Sequence, residues 1–310
     1  MSVDSSSPYS LPYSAFEWLS LVLGSPASRL GLRQMQGSTS STLFRVSLDD
    51  SAQSWVLRCF TNSEWLIHEP DLVEHESAAL EILAQSDLPA PHLVAADPDG
   101  QACGVPALLM TSLPGRVDLT PHSFMDWLQQ MAQPLEPLHV VPAPDFHWHY
   151  YPYVSPLDAD PPTWSNSPDL WLRAIEVARQ PWPSFTPVFI HRDYHPVNVL
   201  FDRGQLSGIV DWPNACLGPA DFDIAWCRAK LSSMFGIDAA NTFLKACRDH
   251  AGNGFTYNPF WDILAAIEVL PGPPEYYAPW QQFGLPFIPV AELIRRHEAF
   301  LKSVLQQIQS

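Results

Sequence analysis

Hydrophobic and polar positions change their period along this chain. Residues 1–12 are rich in Ser and Pro and predict a frayed start, and a helix follows over about 13–23. Two strand-like runs come next, Thr42–Leu48 and Ser54–Phe60. The Asp49-Asp50-Ser51 turn between them makes the pair read as a hairpin. Residues 71–85 predict a helix. A further apolar run, Pro106–Leu113, stops at Pro114-Gly115, a natural breakpoint.

Helical patterns dominate beyond that point. Thr120-Pro121 and Ser167-Pro168 each read as an N-cap followed by proline at the first helical position. Residues 140–168 are crowded with Pro, Trp and Tyr and predict a long irregular segment. Val188–Ile190, Val199–Phe201 and Leu206–Val210 predict short strands. The last helix places Val290, Leu293, Ile294, His297, Leu301, Val304, Leu305 and Ile308 on one face. Strands early and helices late imply an α+β chain: a small β-rich lobe, a hinge near 110–115 and a larger α-rich lobe.

Length and composition narrow the functional classes. A chain of 310 residues has room for two domains, here expected at 1–112 and 113–310. Net charge is −17, with 33 acidic against 16 basic residues, which argues against a nucleic-acid partner. A cationic substrate is compatible with that charge, although a solvating acidic surface is the plainer reading. Five cysteines, at 59, 103, 216, 227 and 247, form no CxxC pair and are odd in number. They predict neither a disulfide framework nor a structural zinc site. The apolar run Phe16–Leu23 is short and contains Glu17, so no signal peptide is expected. No uncharged stretch reaches the roughly 20 residues of a membrane span. The expectation is a soluble cytoplasmic protein with no membrane partner.

The densest chemistry lies in His191-Arg192-Asp193-Tyr194-His195-Pro196-Val197-Asn198-Val199-Leu200, followed by Gly208-Ile209-Val210-Asp211-Trp212. A loop carboxylate, an amide oxygen five residues on and a second carboxylate after a hairpin can converge on one point. Mg²⁺ takes oxygen ligands, and phosphoryl transfer needs a group that orients the attacking hydroxyl. Asp193, Asn198 and Asp211 supply that set. In the first half of the chain, Glu76 falls in the middle of the apolar stripe Leu72, Ala79, Leu80 and Leu83. A carboxylate on a buried face needs a partner, and Arg58 on the neighbouring strand is the candidate.

These residues resemble the catalytic and metal-binding loops of the aminoglycoside phosphotransferase and choline kinase family. That family shares the protein-kinase fold and carries H-G-D-x-x-x-x-N, then a strand ending I-D-W. The stretch GPADFDIA is similar to its G-D-P-x-x-D-L-A, and SWVLRCF resembles its third strand, V-L-R/K. The likeness runs from about Leu32 to Leu231 and is strongest over 188–225. It implies an ATP-dependent (or other nucleoside triphosphate-dependent), Mg²⁺-dependent phosphotransferase acting on a hydroxyl of a small, cationic or amphipathic molecule.

Residue by residue, the resemblance implies Asp193 as catalytic base and Asn198 and Asp211 as Mg²⁺ ligands, with His191 and Asp223 supporting the loop. Arg58, paired with Glu76, would contact the α/β-phosphates. Ser38, Thr39 and Ser40 would line a phosphate loop that is not glycine-rich, and the adenine would meet the backbone around Met110, Ser112 and Leu113. Arg192 stands where the family commonly has Gly. Asp262 and Glu268 would lie in the acceptor region. Two rival readings remain: a non-catalytic nucleotide-binding pseudokinase, and a metal-dependent hydrolase using His191, Asp193 and His195 as ligands.

Overall fold

The computed structural model describes residues 11–35, 41–49, 51–270 and 272–308. The expected phosphate-loop residues Ser38, Thr39 and Ser40 fall outside them. The chain divides into two compact units, Met1–Leu113 and Pro114–Ser310.

The first unit is built on one five-stranded antiparallel sheet. Its elements are α1 (Tyr13–Leu23), β1 (Leu30–Gln34), β2 (Thr42–Leu48), β3 (Ser54–Cys59), α2 (Ser63–His68), α3 (Leu72–Leu83), β4 (Leu93–Asp97) and β5 (Ala107–Thr111). The strand order is β1-β2-β3-β5-β4. The hairpin joins β2 to β3 in the register Thr42↔Cys59 and Ser47↔Ser54. Strand side chains alternate between faces. Phe44 and Val46 of β2 and Trp55, Leu57 and Cys59 of β3 therefore share one face, where they bury against Ala15, Trp18 and Leu19 of α1. Arg58, between Leu57 and Cys59, points to the other face, the one reached by α3. That helix packs on β4 and β5 and buries Leu72, Val73, Glu76, Ala79, Leu80 and Leu83.

The second unit is mostly helical. It contains α4 (Phe124–Ala132), α5 (Leu135–His139), α6 (Pro168–Ala178), β6 (Val188–Ile190), β7 (Val199–Asp202), β8 (Gln205–Ile209), β9 (Cys216–Gly218), α7 (Ala220–Phe235), α8 (Ile237–Ala251), α9 (Phe260–Ile267), α10 (Pro279–Gln282) and α11 (Val290–Ile308). Its core gathers Trp171 of α6, Ala225 and Ala229 of α7, and Phe300, Leu301 and Val304 of α11 around α9. All eight residues of α9 are buried. Two small antiparallel sheets sit beside these helices, one pairing β6 with β9 and the other β7 with β8. The two-residue turn of the β7–β8 hairpin has positive φ at both Arg203 (50°) and Gly204 (78°), the geometry that matches strand twist in a tight hairpin.

Ser167 and Pro168 do open α6, whereas Thr120 and Pro121 open nothing. There α4 begins three residues later, with Ser123 as its cap and the Ser123 hydroxyl accepting from the Asp126 N–H at 3.4 Å. The Thr120 N–H is drawn instead into a local turn on the Asp118 carboxylate, at 3.0 Å. Among the described residues, all five cysteines are free and buried, and no helix is long and apolar enough to cross a membrane.

Candidate active site

In the second unit, the loop from His191 to Asn198 leaves β6 and returns as β7. Short strands on both sides fix its ends. Its centre is fixed by Asp223, at the first turn of α7, which is fully buried. One Asp223 oxygen accepts from the His191 N–H at 3.0 Å and the other from the Arg192 N–H at 2.7 Å. The ring of His139 reaches the first of these oxygens at 2.9 Å. A carboxylate at a helix N-terminus is also favoured by the helix dipole. Asp223 thus ties two successive amides of the loop to α7.

His191 is fully buried and both its ring nitrogens are occupied. Nδ1 accepts from the Asp193 N–H at 3.3 Å, so Nε2 carries the proton and donates to the Val210 carbonyl at 2.9 Å. This one ring joins the loop to the residue before Asp211. A second tie is main chain only: the Val210 N–H donates to the Asn198 carbonyl at 2.9 Å. Asp211 follows directly, in the left-handed region at φ 72°.

Asp193 and Asn198 are in direct contact. The Asn198 amide donates one hydrogen to the Asp193 carbonyl at 2.9 Å and one to the Asp193 carboxylate at 3.1 Å. Both amide hydrogens are used, which leaves the Asn198 Oδ1 for another partner. The other Asp193 oxygen accepts from the Trp226 indole at 2.7 Å and lies 3.5 Å from His195 Nε2. His195 Nδ1 accepts from the Val197 N–H at 3.2 Å, which turns Nε2 toward Asp193. The Asp193 side chain keeps 26% of its surface exposed. Burial works against its ionisation. The charge and hydrogen bond of His195, with Lys230 and His191 behind, outweigh burial and hold the carboxylate below its ordinary range.

Further cations and one carboxylate surround this centre. The Lys230 ammonium lies 4.1 Å from the Trp226 ring centroid; burial lowers its pKa, against Asp193 and Glu268, which raise it. Glu268 accepts from the Tyr153 N–H at 3.0 Å. Burial pushes it up to about 7, opposed by that amide, Arg192 and Lys230. Arg192 also has a positive φ, 67°. Its guanidinium donates to the Tyr151 carbonyl at 2.6 Å and lies 3.9 Å from the Tyr153 ring centroid and 4.3 Å from that of Tyr151.

Asp262 is placed differently. It is fully buried, paired with Arg228, and accepts from the Tyr257 hydroxyl at 2.6 Å. Its carboxylate is consumed inside the helical core and is not available to a substrate amine. Glu268, one residue past the end of α9, is half-buried and shares the surroundings of Asp193. The structure thus separates two residues that the sequence expectation grouped together.

In the first unit, Arg58 and Glu76 form a buried ion pair at 2.8 Å, with side-chain exposures of 3% and 1%. Arg58 Nε also donates to the Ser41 hydroxyl at 2.9 Å. The guanidinium is therefore fixed from two sides, by α3 and by the residue just before β2. In the expected adenine segment, Met110 is paired on both edges, with Val56 of β3 and Leu93 of β4. The Ser112 N–H is spent on the Ser54 carbonyl at 3.0 Å. Of the three named positions, Leu113 is the one whose N–H makes no such pairing among the described residues.

The sequence profile of the phosphotransferase enzyme family matches residues 31–260. The chain belongs to that family. The span takes in Arg58, Glu76 and every loop residue described above. Solved structures share the fold of this phosphotransferase. Aminoglycoside phosphotransferase APH(4)-Ia is 15% identical, with a TM-score of 0.63 over 94% of this chain and 98% of that one. A putative aminoglycoside phosphotransferase from Ralstonia eutropha JMP134 is 16% identical, with a TM-score of 0.58 over the same shares of the two chains. Spectinomycin phosphotransferase APH(9)-Ia is 13% identical, with a TM-score of 0.57 over 94% and 99%. A search of curated proteins finds no match. The fold is thus the protein-kinase-like α+β arrangement, with a small sheet-bearing N-terminal lobe and a larger helical C-terminal lobe.

Sequence reasoning missed three residues around this candidate site: His139, in contact with Asp223, Trp226, in contact with Asp193, and Lys230, over the indole. The spacing of Phe222, Trp226 and Lys230, one helical turn apart, is the signal that could have placed two of them on a common face. The hydrolase reading loses its ligand set, because both nitrogens of His191 are taken. Among the described residues, no group of three or more His, Cys, Asp or Glu is arranged to hold a metal.

Proposed function

We propose that this phosphotransferase moves the terminal phosphoryl group of ATP, with Mg²⁺, to a hydroxyl of a small molecule, and that Asp193 orients and deprotonates that hydroxyl. The contact between Asn198 and Asp193 carries the reading. It spends both amide hydrogens on Asp193, so an oxygen ligand is left over beside an ionised, partly exposed carboxylate. Asn198 Oδ1 and the Asp211 carboxylate would hold Mg²⁺, whose chemistry is to neutralise charge on the phosphate oxygens.

Asp193 accepts the hydroxyl's hydrogen bond and takes its proton as the new oxygen–phosphorus bond forms and the bond from the terminal phosphorus to the departing ADP oxygen breaks. A carboxylate held below its ordinary range is a weak base. That suits a loose phosphoryl-transfer transition state, where positioning matters more than early proton removal. Arg58, steadied by Glu76 and Ser41, would meet the α/β-phosphates, and the main chain at Leu113 would meet the base. Glu268 and Lys230 would face the acceptor.

Relatives of the same fold support nucleotide and small-molecule use. Two thermostable mutants of APH(4)-Ia have been solved in ternary complexes, one with ADP and hygromycin B and the other with AMP-PNP and hygromycin B. Spectinomycin phosphotransferase has been solved with ADP and spectinomycin. The test is an ATP-consumption screen over sugars, amines, amino alcohols and antibiotics. At least one hydroxyl compound should stimulate turnover, and removing Mg²⁺ should abolish it. Nucleotide binding with no stimulation by any compound would favour the pseudokinase alternative.

A further inference from the structure

Phe222, Trp226 and Lys230 form a ladder along one face of α7. The rings of Phe222 and Trp226 stack with centroids 6.1 Å apart, and the Lys230 ammonium caps the indole at 4.1 Å. The indole edge leaves this stack and donates to Asp193 Oδ1 at 2.7 Å. Packing alone does not require that bond in this protein. Among the described residues, Trp127, Trp164 and Trp171 bury their indole nitrogens with no hydrogen-bond partner, and Trp212 gives its N–H to the Ile209 carbonyl.

We propose that Trp226 is a positioning residue for the reaction: together with Asn198 it clamps the Asp193 carboxylate in the rotation that presents a lone pair to the acceptor hydroxyl. Asn198 holds one oxygen from within the loop, and Trp226 holds the other from a different element. A carboxylate gripped at both oxygens cannot turn about its terminal torsion, which is otherwise broad and soft. The cation on the indole face draws electron density from the ring and sharpens the N–H as a donor. Trp226 acts through Asp193, so this inference rests on the reading of Asp193 given above.

The experiment uses the whole protein and Mg²⁺–ATP hydrolysis without added acceptor, water taking the place of the hydroxyl. Asp193→Asn must first lose turnover; if it does not, the reading of Asp193 fails whatever Trp226 does. With that loss in hand, Trp226→Phe keeps the stacked ring and removes only the N–H. It should lower kcat by about tenfold and leave KM for ATP unchanged. Added to Asp193→Asn, it should cause no further loss. Wild-type kcat in Trp226→Phe, or the same tenfold loss on top of Asp193→Asn, overturns the proposal. A second measurement stands if that variant misfolds or hydrolysis is too slow. In ¹⁵N-indole NMR, one of the 12 tryptophan signals should lie downfield and move upfield in Asp193→Ala. If no indole signal moves, Trp226 does not address Asp193.

Discussion

Two carboxylates of the helical unit, Asp193 and Asp262, both take their partners from α7, and they are treated in opposite ways. Asp193 meets neutral donors, an indole N–H and an amide, with His195 nearby. Asp262 meets the guanidinium of Arg228, two residues from Trp226 and so about 200° around the same helix. Neutral donors orient a carboxylate without neutralising it, and the remaining lone pairs stay usable. A buried guanidinium consumes the charge, and Tyr257 and Asn241 bond the same pair of side chains. One helix thus orients a carboxylate on one side and closes off another on the opposite side. The partner, more than the burial, decides the role.

Breaking each carboxylate should therefore break a different property. Asp193→Asn should lower phosphoryl transfer by about a thousandfold while keeping ATP binding and thermal stability. Asp262→Ala should do the reverse. Removing one member of a buried pair strands the other charge, here Arg228, and costs about 3–5 kcal/mol. Chemical denaturation should show that loss, with kcat per folded molecule little changed. If Asp262→Ala instead lost activity at undiminished stability, the division of labour on α7 would be wrong.

Glu268 sharpens the comparison because it sits between the two extremes. Burial raises it to about 7, and amides and distant cations pull it back only partly. A carboxyl with a folded pKa above its unfolded value binds a proton on folding. It therefore favours the folded state below that pKa and loses this contribution as pH rises through about 7. Glu268→Gln removes the titration. The variant should gain stability relative to the parent between pH 5 and pH 8, read as the difference in Tm at the two pH values. An equal difference at both would mean that Glu268 titrates near its ordinary value.

Local pattern made much of this arrangement legible, and distance hid the rest. The strand-like runs Thr42–Leu48 and Ser54–Phe60 located β2 and β3, because both strands bury one face against α1. The apolar stripe of α3 exposed Glu76 as a buried carboxylate needing a cation, and the structure supplies Arg58 at 2.8 Å. Strand β4, with two alanines and an irregular register against β5, carried too weak a pattern to be read. The proline rule worked at Ser167 and failed at Thr120, where Asp118 offered the competing turn. Asp262 misled for a plainer reason. An acid on an apolar helix looks like a ligand until its partner is known, and Arg228 lies 34 residues away on another element. Trp226 and His139 escaped for the same reason, since their contacts join segments 33 and 84 residues apart.

The smallest expected effect concerns the backbone next to Asp193. Arg192 holds φ at 67°, a conformation that costs a non-glycine residue about 1–2 kcal/mol. Its side chain offsets this. The guanidinium bonds the Tyr151 carbonyl and rests on two tyrosine rings, and each ring contact contributes about 0.5–2 kcal/mol. Glycine and alanine separate the two contributions. Both variants lose the guanidinium contacts, and only glycine also relaxes the strain. Arg192→Gly should therefore be more stable than Arg192→Ala by about 1 kcal/mol, and both should fall below the parent in urea denaturation. Because the Arg192 N–H still reaches Asp223 in either variant, the Asp193 carboxylate should stay in place and turnover should fall by less than about threefold. Equal stability of the two variants would mean that the left-handed turn carries no strain, and that Arg192 occupies it for its side chain alone.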